Sequence, residues 1–99
     1  MTIEVLDPSA VDEALAHRKL AWERQGAELV KVHRGRAFAD ALAYVNAVGA
    51  LAEDMDHHPD IDIRWNRVTL RLSTHVAGGI TGLDLELAGR IDALPPGPA

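Results

Sequence analysis

Three of the five histidines in the sequence fall between positions 57 and 75, within Glu53-Asp54-Met55-Asp56-His57-His58-Pro59 and Ser73-Thr74-His75. Histidine ordinarily titrates near ~6.5 and can give or take a proton at neutral pH, so a cluster of imidazoles points to general acid–base chemistry. Glu53 precedes His57 by one helical turn, where its carboxylate can accept a hydrogen bond from the ring and orient it. The chain has no cysteine, which removes thiolate nucleophiles, disulfides and cysteine zinc sites together. A zinc site built from His57, His58 and His75 is disfavoured, because adjacent histidines do not readily share one ion and no His-Glu-x-x-His motif supports them. Gly78-Gly79 lacks the spacing of a phosphate-binding loop and reads as a turn. His17 and His33, away from the cluster, read as structural or surface residues.

The elements that must hold these groups can be traced by periodicity. Asp7-Pro8 is a helix-start signal, an acceptor side chain followed by a residue with no amide to lose, and Val11, Ala14 and Leu15 share one face, predicting a helix from about Pro8 to Lys19. Leu20 to Arg34 reads as a hairpin turning at Gln25-Gly26, with a β-branched second half. Apolar residues from Phe38 to Met55 recur at three and four, predicting the longest helix over Ala37 to about Met55. Pro59 disfavours helical backbone at His58, so the helix should stop near His57 and leave both histidines at a helix-to-strand junction. Ile61, Ile63 and Trp65, then Val68, Leu70 and Leu72, alternate with polar residues and predict two strands joined near Asn66. The same alternation puts His75 on the side of Thr69, Arg71 and Ser73. A turn at Ala77-Gly78-Gly79 leads to a cap at Thr81 and a last helix ending before Pro95-Pro96. The order is α-β-β-α-β-β-α, an α+β fold of three helices on a four-stranded antiparallel sheet. Residues 1–94 form a single domain, with 95–99 expected as a disordered tail.

Glu53, three residues, His57-His58-Pro59, five residues, Trp65, nine residues, His75, eight residues and Asp84 together resemble the signature of the pterin-4a-carbinolamine dehydratases at every spacing. The resemblance extends through Trp22, Phe38, Tyr44, Leu72-Ser73-Thr74-His75 and Gly79-Ile80-Thr81, from about Asp7 to Asp92. It implies a helix-flanked sheet assembled as a homodimer or homotetramer, with a cleft carrying the three motif histidines. It also implies dehydration of a 4a-hydroxytetrahydropterin to the quinonoid dihydropterin, in tetrahydropterin recycling linked to an aromatic amino-acid hydroxylase, with neither cofactor nor metal. On that resemblance His57 and His75 are the acid and base, and His58 is mainly a substrate-binding residue that shares in proton transfer. Glu53, Asp84, Trp22 and Trp65 are the further substrate-site candidates. Asp84 has an equal claim as the third residue of a capping box begun by Thr81, and Trp65 a stronger claim to packing. The segment Val30 to Arg34 departs from the phenylalanine-rich stretch common among relatives. The alternative reading is a non-enzymatic dimerisation or assembly factor on the same fold.

Composition narrows the partners. A formal charge of −5, with ten basic residues spread along the 99-residue chain, provides no cationic stripe for a phosphate backbone, so direct nucleic-acid binding is disfavoured. No leader pattern or run of ~20 apolar residues is present, which predicts a soluble, cytoplasmic protein with no membrane contact.

Overall fold

The computed structural model describes residues 4–95. Seven elements follow the expected order: α1 (Pro8–His17), β1 (Glu23–Gln25), β2 (Glu28–Arg34), α2 (Phe38–Met55), β3 (Asp60–Arg64), β4 (Arg67–Leu72) and α3 (Gly82–Asp92). The strands form one antiparallel sheet in the order β1-β2-β4-β3. The expected tail at 95–99 falls, beyond Pro95, outside the described residues.

Register explains how one sheet face becomes the core. Leu29 pairs with Leu72, and Ile61 and Ile63 pair with Leu70 and Val68, so apolar side chains from three strands share a face. Val68, Leu70 and Leu72 are wholly buried there, in one cluster with Val11 of α1, Ala41, Val48 and Ala52 of α2, and Leu87 and Ile91 of α3. The buried positions of α2 are the small residues Ala41, Val48 and Ala52, with Tyr44, Val45, Leu51 and Met55 packed against the cluster.

The connections differ in detail from the periodicity. α1 stops at His17, two residues early, because Lys19 turns left-handed at φ 54° while Leu20 N–H returns to the Leu15 carbonyl. The β1–β2 turn is Gly26-Ala27, with Gly26 at φ 61° supplying the positive first position. Trp65 was expected in a strand; it occupies the two-residue β3–β4 turn with Asn66, at φ 55°. Alternation cannot see such a turn, since Trp is an unusual residue at positive φ. Asn66 then clamps the chain on both sides of Gly35, donating from Nδ2 to its carbonyl and accepting its amide, both at 2.8 Å. A methyl group at Gly35 would lie 2.8 Å from the Asp40 Cβ, so glycine is what lets Asp40 reach back to the Arg36 and Ala37 amides and cap α2.

The far end of α3 is fixed by charge. Asp92 accepts from the Ala21 amide at 2.7 Å and the Trp22 indole at 2.9 Å, and pairs with Lys31. This carboxylate joins the entry to β1, the middle of β2 and the end of α3. Beside it, His33 and Tyr44 stack in parallel with ring centroids 3.7 Å apart. The Tyr44 hydroxyl is buried with no hydrogen-bond partner among the described residues, and burial, with the negative Asp92 nearby, pushes its pKa up to about 12.

Replacing Asp92 with alanine should destabilise the fold by about 2–4 kcal/mol, since a part-buried lysine and an indole N–H lose their acceptor. Thermal melts should show a large drop for Asp92→Ala and almost none for Asp12→Ala, whose partner Arg24 is reached in solvent; equal drops would refute the anchor. Burial first, then the positive Lys31, lowers the His33 pKa below its ordinary value, so the unfolded chain takes up that proton first as pH falls. Wild type should therefore lose stability relative to His33→Phe as pH drops from about 7 through the ordinary histidine range. A gap between their melting temperatures that stays constant from pH 8 to 5 would contradict this.

Candidate active site

α2 ends in a way that fixes the first histidine. Asp56 adopts the left-handed conformation at φ 49°, ψ 44°, and the His57 amide reaches back to the Ala52 carbonyl at 3.0 Å, the closing bond of a Schellman motif. The chain thereby reverses at Asp56, and His57 is turned inward while His58 is left outside. His57 is 8% exposed and its Nε2 lies 2.5 Å from Asp84 Oδ1. His58 is exposed and pairs through Nε2 with Glu53. The expectation that Glu53 orients His57 is thus corrected: the tight reversal at Asp56 rotates His57 off the Glu53 face and brings His58 onto it.

Asp84 is fully buried at the first turn of α3. Its Oδ2 accepts from the Thr81 amide at 2.9 Å and from the Thr74 hydroxyl at 2.8 Å, while Thr74 and Thr81 hydroxyls meet at 2.7 Å. Asp84 is therefore the capping-box carboxylate and, through its other oxygen, the partner of His57. The capping-box reading of this residue holds, and its second oxygen is left to meet His57.

His75 lies outside β4. The strand ends at Leu72, and Thr74 bridges to Gly79 around a turn in which the Ala77 and Gly78 amides return to the Thr74 carbonyl. His75 is exposed at the start of that turn, immediately after the buried Thr74. Its outward placement comes from the turn, so the strand alternation invoked for it does not apply. Thr74 was legible only as part of a motif; its link to Asp84 depends on a contact ten residues away that no local pattern reveals.

The structure thus joins His57, Asp84, Thr74 and Thr81 in one buried network, with His58–Glu53 beside it in sequence and His75 adjacent to Thr74. It does not bring the tryptophans there. Trp22 is a core residue at Asp92, the opposite end of α3 from Asp84. Trp65 is 68% exposed and stacks on Phe38, with centroids 6.4 Å apart, at the opposite end of α2 from His57. Two cavities, of about 350 and 300 Å³, lie beside the His33–Tyr44 stack and between Val11 and Gly79. Neither is lined by His57, His58 or His75, so neither is the cleft expected to carry them. Among the described residues, no three His, Asp or Glu side chains gather as a metal-binding group, and no helix is long and apolar enough to cross a membrane.

Comparison with known proteins shows the family. Residues 4–94 match the model of the family described as pterin 4 alpha carbinolamine dehydratase. The chain belongs to that family. A Roseiflexus castenholzii protein provisionally named a pterin-4-alpha-carbinolamine dehydratase is 48% identical over 90 residues, covering 91% of this chain and 96% of its own. A Nocardia farcinica protein with the same provisional name is 46% identical, covering 95% and 98%. Among solved structures, a transcriptional coactivator/pterin dehydratase from Brucella melitensis superposes with a TM-score of 0.83 at 30% identity, over 91% of this chain and 97% of that one. A pterin dehydratase-like RuBisCO assembly factor of the alpha-carboxysome gives 0.63 at 28% identity, over 78% and 92%. Solved structures described in different functional terms therefore share the fold seen here.

Asp84→Ala removes the acceptor of three buried donors, so it should cost about 3 kcal/mol or more of stability, measured by urea unfolding. Glu53→Ala, on an exposed pair, should fall within about 0.5 kcal/mol of wild type. Equal stability for Asp84→Ala and wild type would mean that the network does not hold these segments together.

Proposed function

We propose that this chain dehydrates a 4a-hydroxytetrahydropterin to the quinonoid dihydropterin by histidine acid–base catalysis. What carries the reading is the meeting of the motif residues from distant stretches of chain: His57 on Asp84, and Asp84 on the residue that precedes His75. Family membership supports the substrate class.

The reaction asks for little beyond placed proton carriers. The C4a–O bond breaks with its electron pair leaving on oxygen, which takes a proton and departs as water. The N5 lone pair forms the C4a=N5 double bond, and the N5 proton passes to a base. Two imidazoles suffice, and assistance of this kind contributes roughly 100- to 10,000-fold. We assign these steps to His57 and His75. His57 is buried against a carboxylate, which steadies its ring for proton transfer. His75 is solvent-exposed on a short hydrogen-bonded turn. His58, exposed and held by Glu53, serves substrate binding. Trp22 and Trp65, surrounded by core packing and a turn, add nothing to this assignment. Assembly into a homodimer or homotetramer and supply of substrate by an aromatic amino-acid hydroxylase belong to the same proposal. The rival reading, an assembly factor without activity, shares the fold and predicts no turnover.

Purified protein should accelerate 4a-hydroxytetrahydropterin dehydration, followed by ultraviolet absorbance, over buffer alone; no acceleration would eliminate the enzymatic reading. His57→Ala and His75→Ala should each lower kcat by at least about tenfold with the fold intact, whereas His17→Ala should match wild type. Wild-type rates in both site variants would refute the roles assigned to them.

A further inference from the structure

We propose that Thr74 is a positioning residue that fixes which nitrogen of His57 carries the proton, so that exchange with substrate runs through Nδ1. The proposal rests on the dehydratase reading and adds to it a residue and an atom.

The directions of the hydrogen bonds around Asp84 are set by counting protons. A threonine hydroxyl has one hydrogen to give. Thr74 gives its hydrogen to Asp84 Oδ2 at 2.8 Å, so in the 2.7 Å contact between the two threonine hydroxyls Thr81 must be the donor. The Thr81 oxygen in turn accepts the Leu83 amide at 3.2 Å. Donation therefore runs one way, from Leu83 N–H to Thr81, to Thr74, to Asp84. The Thr81 amide also ends on Oδ2, which leaves Oδ1 for His57.

With Asp84 as a carboxylate, only the imidazole can supply the hydrogen in the 2.5 Å contact, which then sits on Nε2. A neutral ring with Nε2–H has its lone pair on Nδ1. Proton uptake at Nδ1 makes an imidazolium beside a buried carboxylate, the arrangement that stabilises positive charge on a catalytic histidine. Were Thr74 to lose its hydroxyl, Oδ2 would keep only the Thr81 amide and the Thr81 hydroxyl would lose its acceptor. Asp84 would then be free to turn, and His57 would no longer be held to one tautomer.

Thr74 also belongs to the other histidine. Its amide donates to the Gly79 carbonyl at 2.9 Å, and its carbonyl receives the Ala77 and Gly78 amides, closing the turn on which His75 stands. One buried residue thus couples the tautomer of His57 to the placement of His75.

Nitrogen-15 spectra of the histidine rings test this directly. In the neutral wild-type protein His57 should show its proton on Nε2 and an unprotonated Nδ1; the reverse pattern overturns the proposal without any variant. Thr74→Val should shift or split the His57 ring signals and lower kcat at least about tenfold, with KM changed less than about threefold, while Thr74→Ser restores both. Wild-type ring signals and kcat in Thr74→Val would also overturn it. Should Thr74→Val fail to fold, the wild-type spectrum and the Thr74→Ser kinetics decide, and loss of activity in a folded Thr74→Ser would count against the hydroxyl. If the wild type dehydrates no pterin, the functional reading falls, and the ring spectra alone support or overturn the role of Thr74.

Discussion

A carboxylate with no solvent contact must be met by donors, and the satisfaction of Asp84 is the constraint around which the candidate site is arranged. Its three donors come from different places: the reversal after α2, the turn after β4, and the cap of α3. None of these segments is regular secondary structure, and none would hold its shape by ladder hydrogen bonds alone. Leaving any donor out strands a buried charge, so the three are positioned together. This is how loops, ordinarily the most adaptable parts of a fold, become precise enough to carry chemistry.

α3 is held by carboxylates at both of its ends, and the two have opposite electrostatic settings. Asp84 lies in the first turn, where the positive end of the helix dipole favours it. Asp92 lies at the last residue, where the dipole opposes it, and there Lys31 and two N–H donors supply the compensation. Fixing both ends, about 12 Å apart, fixes the rotation and the axial position of the helix on the sheet. Leu85, Leu87, Ala88 and Ile91 then enter the core from a helix that cannot slide. The His57–Asp84 contact is accordingly only as exact as the Asp92 anchor at the other end of the same helix.

The element order was legible in the sequence because each element has a face: the 3.6-residue stripe from Phe38 to Met55 and the alternation through Val68, Leu70 and Leu72 reflect burial, and burial decides secondary structure. The Thr81–Asp84 capping box was legible because it is local, with both partners within one turn. Trp65 was misplaced into a strand because its apolar side chain continues an alternation that the backbone breaks with a positive φ. Glu53 was given to the wrong histidine because helical spacing was extended through Asp56, where the helix has already reversed. The Asp84–His57 and Asp84–Thr74 contacts, spanning 27 and ten residues, were beyond any local pattern. The motif spacing marked most of these residues as belonging together; what each one touches had to come from the folded chain.

Because one fold serves proteins described both as pterin dehydratases and as an assembly factor, the useful question is which feature of this chain the fold itself does not need. A capping box needs Thr81, Asp84 and one carboxylate oxygen. That oxygen is Oδ2, and it is already occupied by the Thr81 amide and the Thr74 hydroxyl. Oδ1 has no capping duty, and an apolar neighbour paired with a smaller polar residue at 84 would close the core without burying a charge. The imidazole on Oδ1 is therefore no part of the cap itself. The exposed rings of His58 and His75 contribute no core packing either, and a docking surface has no particular need of imidazoles at these positions. Proton transfer requires such groups, and it requires one of them to be held against a partner that accepts its charge.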